Sequence, residues 1–326
     1  MARKKLLQIL LFLVPGIIVF IILAVLFAHG GRTGGTVKHY VSEEEANREI
    51  IFDGGRIFTT KASYVKVSGN KVTIIRSGTY TLKGQLDEGQ IIVDVGDEDE
   101  VKLKLDDCIV TCSFGSPIYV RNAKKLKLRL KEGSENELIH LESSEDQTVK
   151  STEAQEAKST EDQEAKSTED QDAKAAGDQD AKSTEAQKAD DSGQEAEDTQ
   201  KGCIYARSDL TIKGDGLLKV VGYHRHGIFS SKDLRIKGGT IEVAATRQAL
   251  HGKKSVLIEN GDLTLKAGTD GIHSNGSLDI VGGTVQIDAG KYGMYAYTKL
   301  YVDKSRAQVQ VDHALSEAGC QGELEY

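Results

Sequence analysis

The fold of this chain is decided by a unit that reads GIHSNGSLDIVGGTVQIDAGKY at residues 271–292. Related units follow one another at a spacing of about 22 residues, within the range of solenoid repeats. Each unit opens with alternating apolar side chains, passes through a glycine turn, and alternates again. The openings read DLTI at 209–212, DLRI at 233–236, SVLI at 255–258 and SLDI at 277–280. Such strict alternation indicates strands rather than helices.

Three short strands per unit, separated by Gly, Asn and Asp turns, are typical of one coil of a parallel β-helix. Equivalent positions of neighbouring coils would then stack about 4.8 Å apart. A leucine-rich repeat has a similar length but needs a longer return segment and an asparagine at a fixed offset, which this unit lacks. We therefore predict an all-β, single-stranded parallel β-helix, right-handed because parallel crossovers almost always are.

A column of rings is the sharpest functional feature. Each unit ends on a small, an apolar and an aromatic or imidazole residue, as in GIF at 227–229, and alternation points the ring outward. Ring faces along a rigid surface suit the apolar faces of sugars. A self-stacking ladder that only stabilises the fold explains them equally well. The predicted carbohydrate-binding rings are Tyr119, Tyr205, Phe229, His251, His273 and Tyr295.

Basic residues form a second column beside the rings. Arg225, Arg247 and Lys291 occupy the same position in different units, and Thr269 interrupts them. Cations in register would pair directly with the carboxylates of an acidic polysaccharide, so we include these three residues in the predicted binding site. The alternative is that Arg and Lys occupy exposed turns because they solubilise the surface and block edge pairing.

The N-terminal region predicts a membrane anchor. Arg3, Lys4 and Lys5 precede an apolar run at residues 6–28, close to the roughly 20 residues that cross a bilayer. Basic residues before such a run hold the N-terminus inside, so we expect a single-pass cell-membrane protein with its C-terminal domain outside the cell. A cleaved signal peptide is the alternative.

An acidic insert interrupts one coil. Residues 141–201 contain 19 acidic and 7 basic residues, a net charge of −12, whereas the whole chain carries −8. From Lys150 the insert repeats every eight residues, as in KSTEAQEA at 150–157. It has almost no branched apolar residue and cannot bury a core, so we predict that it is disordered.

The chain therefore divides into five predicted parts. These are the basic tip, anchor and start of the linker at 1–32, a linker and N-terminal cap at 33–50, the first part of the β-helix at 51–140, the acidic insert at 141–201, and the regular coils and C-terminal end at 202–326. Within the cap, residues 42–50 predict a helical turn with Ser42 as N-cap.

Several motifs resemble a known family. GTYTLKG at 78–84, GQIIVD at 89–94, PIYV at 117–120 and CIYARSDLTIKG at 203–214 are similar to the carbohydrate-binding family of clostridial cell-surface proteins, typified by a calcium-binding, cellulose- and polygalacturonate-binding parallel β-helix. The resemblance covers about residues 50–290 outside the insert. It implies the same fold and a non-catalytic role in polysaccharide binding.

The resemblance also implies a bound calcium ion, and this chain departs from the family at the residues that would hold it. The family usually carries Asp before the Gly-Ile of successive coils, and only Asp270 keeps the acid here. Calcium needs six to eight oxygen ligands. The candidate ligands are Asp209 and Asp233, which start adjacent coils, together with Asp270; the alternative is that Asp favours turns. The column before Gly-Ile reads His226, Gln248, Asp270, Tyr292 and His313.

The predicted function is extracellular binding of an acidic or cellulosic glycan by a monomer, without turnover and without a nucleic-acid partner. A polysaccharide lyase is the first alternative, because β-helices house such enzymes. In it, calcium would neutralise a uronate carboxylate while Arg247 or Lys254, near Asp270, abstracts the neighbouring proton. The second alternative is a structural surface adhesin with a protein ligand.

Overall fold

The computed structural model describes residues 48–141, 200–223 and 225–325. Apart from a 3-10 turn at Ala62–Tyr64, the regular elements of these ranges are strands. They are β1 Arg48–Gly54, β2 Arg56–Thr59, β3 Val65–Ser68, β4 Lys71–Ile74, β5 Gly78–Leu86, β6 Gln90–Asp94, β7 Glu100–Cys112, β8 Ile118–Asn122, β9 Lys125–Leu130, β10 Glu135–His140, β11 Gly202–Ala206, β12 Asp209–Gly214, β13 Leu217–Gly222, β14 His226–Ser230, β15 Asp233–Ile236, β16 Thr240–Ala245, β17 Leu250–Gly252, β18 Ser255–Ile258, β19 Asp262–Ala267, β20 Ile272–Ser274, β21 Ser277–Ile280, β22 Gly283–Ala289, β23 Tyr292–Ala296, β24 Lys299–Val302, β25 Ala307–Asp312, β26 Ser316–Cys320 and β27 Glu323–Glu325.

The strands stack into three parallel faces, which confirms a parallel β-solenoid of about eight turns. Face 1 stacks β9, β12, β15, β18, β21, β24 and β27. Face 2 stacks β10, β13, β16, β19, β22 and β25. Face 3 stacks β4, β6, β8, β11, β14, β17, β20, β23 and β26. The handedness stays a prediction.

The first coils depart from the repeat. Strand β7 pairs with β9 through residues 100–105 and with β10 through residues 109–112, so it serves faces 1 and 2 at once. Strand β1 pairs with β5 in parallel and with β2 in antiparallel orientation. The prediction of a helical turn up to residue 50 is therefore wrong for residues 48–50, whose backbone groups bond to β5 instead.

The core follows from the alternation within each unit. The apolar member of each closing triplet, from Ile228 to Met294, is fully buried and stacks on its equivalent in the next coil. Close stacking also explains the turn glycines. Gly214 has φ +118°, and a Cβ there would lie 2.0 Å from the carbonyl oxygen of Leu130 in the preceding coil. A side chain at this turn would thus be strained and would clash with backbone.

The insert leaves and rejoins the solenoid between face 2 and face 3. The Leu141 amide donates to the Cys112 carbonyl (2.8 Å), and the Lys201 carbonyl accepts from the His226 amide (3.2 Å). The Gln200 side chain also accepts from Gln90 Nε2 (2.8 Å). Both ends of the insert are therefore fixed in the ladder. The predicted anchor at residues 6–28 and the predicted disorder of residues 142–199 lie outside the described residues.

The last coil is longer than the three before it, and this corrects one predicted register. Tyr292 pairs with Ser316, so Ser316, and not His313, continues the column before the Gly-apolar pair. His313 lies in a turn with φ +57° and contacts Asp288 (3.3 Å). In the described ranges, no helix is long and apolar enough to cross a membrane.

Candidate functional site

The predicted rings form one continuous column on the outer side of face 3. Strand pairing sets Tyr205 between Tyr119 and Phe229, and His273 between His251 and Tyr295. Centroids of successive rings lie 4.7 to 5.5 Å apart along the whole column. The predicted stacking is therefore confirmed. Its use in binding sugar stays a prediction.

The column has two halves that differ in exposure. In the closed half, Tyr119 is 0% exposed, Tyr205 7% and Phe229 2%, and these rings form a small hydrophobic cluster with Ile92 that is separate from the main core. The prediction that every outward ring is available to a ligand is wrong for this half. Non-repeating neighbours surround it; Lys201, for example, lies 6.0 Å from the Phe229 ring centroid. The open half consists of His251, His273 and Tyr295, which are partly exposed.

A groove of about 650 Å³ lies against the open half. The groove combines ring faces with amide, carboxylate and ammonium groups, which is the mixture that orients a sugar. Tyr297 is its most open ring, at 54% exposed. The lining residues are Asp270, His273, Asn275, Lys291, Tyr292, Tyr295, Tyr297 and Gln321.

A hydrogen bond between His273 and Asp270 forms the floor of this groove. His273 Nδ1 lies 2.8 Å from Asp270 Oδ2, and Gln248 Nε2 donates to the same oxygen at 3.4 Å. Burial acts to raise the pKa of Asp270, but the His273 and Gln248 contacts outweigh it and lower that pKa. The carboxylate therefore stays charged and fixes the orientation of the His273 ring.

Two histidines lie where the halves meet, namely His226 and the first member of the open half, His251. His226 packs against Phe229 and His251, with ring centroids 5.4 and 5.2 Å away. Burial, aided by the charges of Arg247 and Arg225, lowers the pKa of His226 to about 3. Burial likewise lowers the pKa of His251 to about 3. Both imidazoles are thus neutral at physiological pH, and His251 Nε2 bonds Asn275 Oδ1 at 3.0 Å.

The basic column is in register, as predicted. The Arg247 amide donates to the Arg225 carbonyl (2.8 Å), Thr269 to Arg247 (3.3 Å) and Lys291 to Thr269 (2.9 Å). Arg247 and Lys291 are exposed, and Arg225 is half-buried. None of the three makes an ion pair with another described residue. This column runs along the corner between face 2 and face 3, beside the groove.

The three predicted calcium ligands are not brought together. Asp209 and Asp233 begin adjacent strands of face 1, where Asp233 accepts from Ser255 Oγ (2.7 Å) and pairs with Lys254 (3.2 Å). Asp270 instead precedes a strand of face 3. Within the described part of the chain, no group of three His, Cys, Asp or Glu side chains is arranged to hold a metal ion.

The corner at Asp270 does not fit calcium either. Three oxygens are buried there without a hydrogen-bond partner among the described residues, namely Gln248 Oε1, Thr269 Oγ1 and Asp270 Oδ1. Calcium takes six to eight oxygens, usually from several carboxylates. The positive charge of Arg247 also acts at this corner, where it lowers the pKa of the neighbouring His226. The same charge would repel a calcium ion.

Some residues of the groove were not predicted. Asn275 and Tyr297 lie in the turns that follow β20 and β23, and Tyr292 is the first residue of β23. Their signal in the sequence is only a polar or aromatic residue next to a ring triplet, as in KYGMYAY at 291–297. One predicted role also fails, because Lys254 is held by Asp233 on face 1 and is not near Asp270.

Comparison with known proteins gives a family. A family model described as "Carbohydrate-binding domain-containing protein" matches residues 68–163 and 171–319. A protein of the same description from Acetivibrio thermocellus is 30% identical over 215 residues, which is 66% of this chain. The match covers 59% of that relative, so the chain spans less than two thirds of its length.

A solved structure shares the fold. It is a polysaccharide lyase-like protein from C. thermocellum, determined as a gadolinium derivative. The similarity has a TM-score of 0.66 at 29% identity and covers 86% of this chain and 96% of the other.

Proposed function

The chain belongs to the carbohydrate-binding domain family, and on that premise we propose that the open half of its ring column binds an acidic polysaccharide without cleaving it. The groove of about 650 Å³ beside Tyr295 is the observation that carries the proposal. In it, the Tyr295 and His273 rings face a sugar ring, while Asn275 bonds hydroxyl groups.

The basic column supplies the preference for acidic polymers. Lys291 lines the groove, and Arg247 and Arg225 continue from it along the solenoid axis. Arg225 and Lys291 are three coils apart, about 14 Å at strand spacing, so an extended chain lying along the axis would meet several cations. Charge-assisted hydrogen bonds to carboxylates would then replace bridging by calcium.

The location of this domain is part of the proposal. The basic residues before the apolar run at 6–28 support an anchor in the cell membrane with the solenoid outside. A soluble polysaccharide outside the cell is then within reach of the groove.

A lyase is the second candidate, and one contact favours it. Asp270 holds His273 by its Nδ1 atom, which leaves Nε2 as a base at the groove. In a β-elimination, Nε2 would take the proton from the carbon next to the uronate carboxylate. The bond from the adjacent carbon to the glycosidic oxygen would break, a carbon–carbon double bond would form, and the departing oxygen would take up a proton.

Affinity electrophoresis of the full-length chain separates these functions. Gels would contain polygalacturonate, xylan or a soluble cellulose derivative, each with calcium and with a chelator. We expect retardation by polygalacturonate that survives the chelator, with no growth of ultraviolet absorbance from unsaturated products. Absorbance growth that is lost in His273→Gln would establish the lyase. No retardation in any gel would overturn the carbohydrate proposal for these ligands.

A further inference from the structure

Face 1 carries a second concentration of cations, far from the rings in the cross-section of the solenoid. Register places Lys102 of β7 beside Lys127 of β9, Lys104 beside Arg129, and Arg129 beside Lys213 of β12. The alternating neighbours of these residues, such as Leu103 and Leu128, point into the core and are fully buried. The cationic side chains therefore share the outer side. We call Lys102, Lys104, Lys127, Arg129 and Lys213 the basic patch.

The fold does not account for this arrangement. Like charges directly opposite one another on neighbouring strands are destabilising. Lys127 contacts Glu100, but within the described ranges the other four members of the basic patch make no ion pair. Further along the same face, Arg235 and Lys237 are both paired with Glu259. On the described strands of face 1, the unpaired cations thus lie only on β7, β9 and β12.

The geometry of the basic patch suits a linear polyanion. Its cations repeat about 4.8 Å apart along the solenoid axis and about 6.6 Å apart along each strand. No member of the basic patch is aromatic, so the patch offers charge and no stacking platform. Lys102, Arg129 and Lys213 are exposed.

We propose that the basic patch binds a linear polymer carrying phosphate groups. Four of its five cations are lysines, whose compact ammonium groups can donate hydrogen bonds to a phosphate oxygen from many directions. The basic patch has no ring on which a sugar could stack, so a polymer that carries its charges on phosphate groups suits it better than a chain of uronates. This site lies on face 1, so it acts independently of the groove on face 3 and would let one molecule hold two polymers.

Binding of inorganic polyphosphate to the full-length chain, measured against salt concentration, tests the proposal. Each neutralised phosphate contributes about −0.7 to the slope of log affinity against log salt, so three to four contacts predict a slope of about −2 to −3. The double variant Lys104→Glu/Arg129→Glu should bind at least about tenfold more weakly at low salt. Lys266→Glu, a single charge reversal on face 2, should bind like the wild type.

Several results decide the matter. The neutral variant Lys104→Gln/Arg129→Gln should lose less affinity than the reversal while keeping the wild-type melting temperature, which separates charge from folding. Tyr295→Ala should leave polyphosphate binding unchanged. Equal losses from Lys266→Glu and from the double reversal would overturn the proposal, as would full affinity in the double reversal. The proposal would also be overturned if the double reversal lost binding to anionic lipid vesicles or polygalacturonate but kept its binding to polyphosphate.

Discussion

The closed and open halves of the ring column share a register and a period but not an environment. Tyr119, Tyr205 and Phe229 are almost wholly buried in a cluster of their own, whereas His273 and Tyr295 face a groove. Stacking on neighbouring coils is therefore common to both halves, and only the surroundings differ. A ladder of rings on a solenoid can thus stabilise the fold at one end and offer a ligand surface at the other.

The largest expected effect is on stability against pH, at the junction of the halves. His226 and His251 have pKa values of about 3 in the folded chain and about 6.5 when unfolded. The unfolded chain therefore binds more protons between these values, and stability present above about pH 6.5 is lost as the pH falls toward 3. Each histidine contributes a slope of up to about 1.4 kcal/mol per pH unit.

Unfolding midpoints between pH 7 and 4 would measure this slope. Carboxylates also titrate in this range, so the informative quantity is the difference between wild type and His251→Gln, which should show a shallower dependence. His313→Gln serves as the control because the His313 side chain is 83% exposed. If the stability of His251→Gln fell with pH as steeply as that of the wild type, the assignment of His251 as a neutral imidazole in the folded chain would be wrong.

Truncation of a closed-half ring comes next. Phe229→Ala removes a buried aromatic side chain and leaves a cavity, so we expect a loss of about 3 to 5 kcal/mol in the free energy of unfolding. Tyr295→Ala, the matched change in the open half, should cost less than about 1.5 kcal/mol, as expected for loss of ring contacts at a partly exposed site. If denaturant titrations gave equal losses of stability for Phe229→Ala and Tyr295→Ala, the two halves would not differ in how they stabilise the fold.

A smaller effect should separate charge from stacking within the open half. Lys291→Gln removes the ammonium group that lines the groove and should weaken binding of polygalacturonate about three- to tenfold while leaving a neutral glycan unaffected. Lys266→Gln on face 2 is the control. If both variants bind both glycans like the wild type, the basic column has no part in recognition.

The smallest effect should follow removal of the insert. Both of its ends are hydrogen-bonded into the ladder at Leu141 and Lys201, and loop-closure entropy changes only slowly with length. Replacing residues 142–199 by a Gly/Ser link of about 20 residues should change the free energy of unfolding by less than about 1 kcal/mol, because each halving of loop length contributes only about 0.6 kcal/mol. A loss of cooperative unfolding would show that the insert contributes to the solenoid.

The repeat predicted the fold and the register because successive coils share the same alternation of apolar and polar side chains. It placed every member of the ring column correctly, from Tyr119 to Tyr295. Exposure was not predictable in the same way, since it depends on side chains outside the column, such as Lys201 beside the Phe229 ring. The register of His313 failed because the last coil is longer than the period.

Contacts between side chains of different faces were also beyond the sequence. Asp209, Asp233 and Asp270 look equivalent as turn acids, yet the coil separates the first two from the third. Lys254 is close to Asp270 in the chain but points to Asp233 in the preceding coil. The repeat pattern in the sequence predicts which residues stack on one another in neighbouring coils. Which turn residues contact each other depends instead on the corner of the solenoid at which each turn lies.

Calorimetric titration of a uronate oligosaccharide into the full-length chain tests the central claim most directly. Wild type, Tyr295→Ala and Tyr301→Ala would be compared, because Tyr301 is a partly exposed tyrosine on face 1. We predict binding by wild type and Tyr301→Ala and about tenfold weaker binding by Tyr295→Ala, with calcium making no difference. Undiminished binding by Tyr295→Ala would contradict the assignment of the open half as the carbohydrate site.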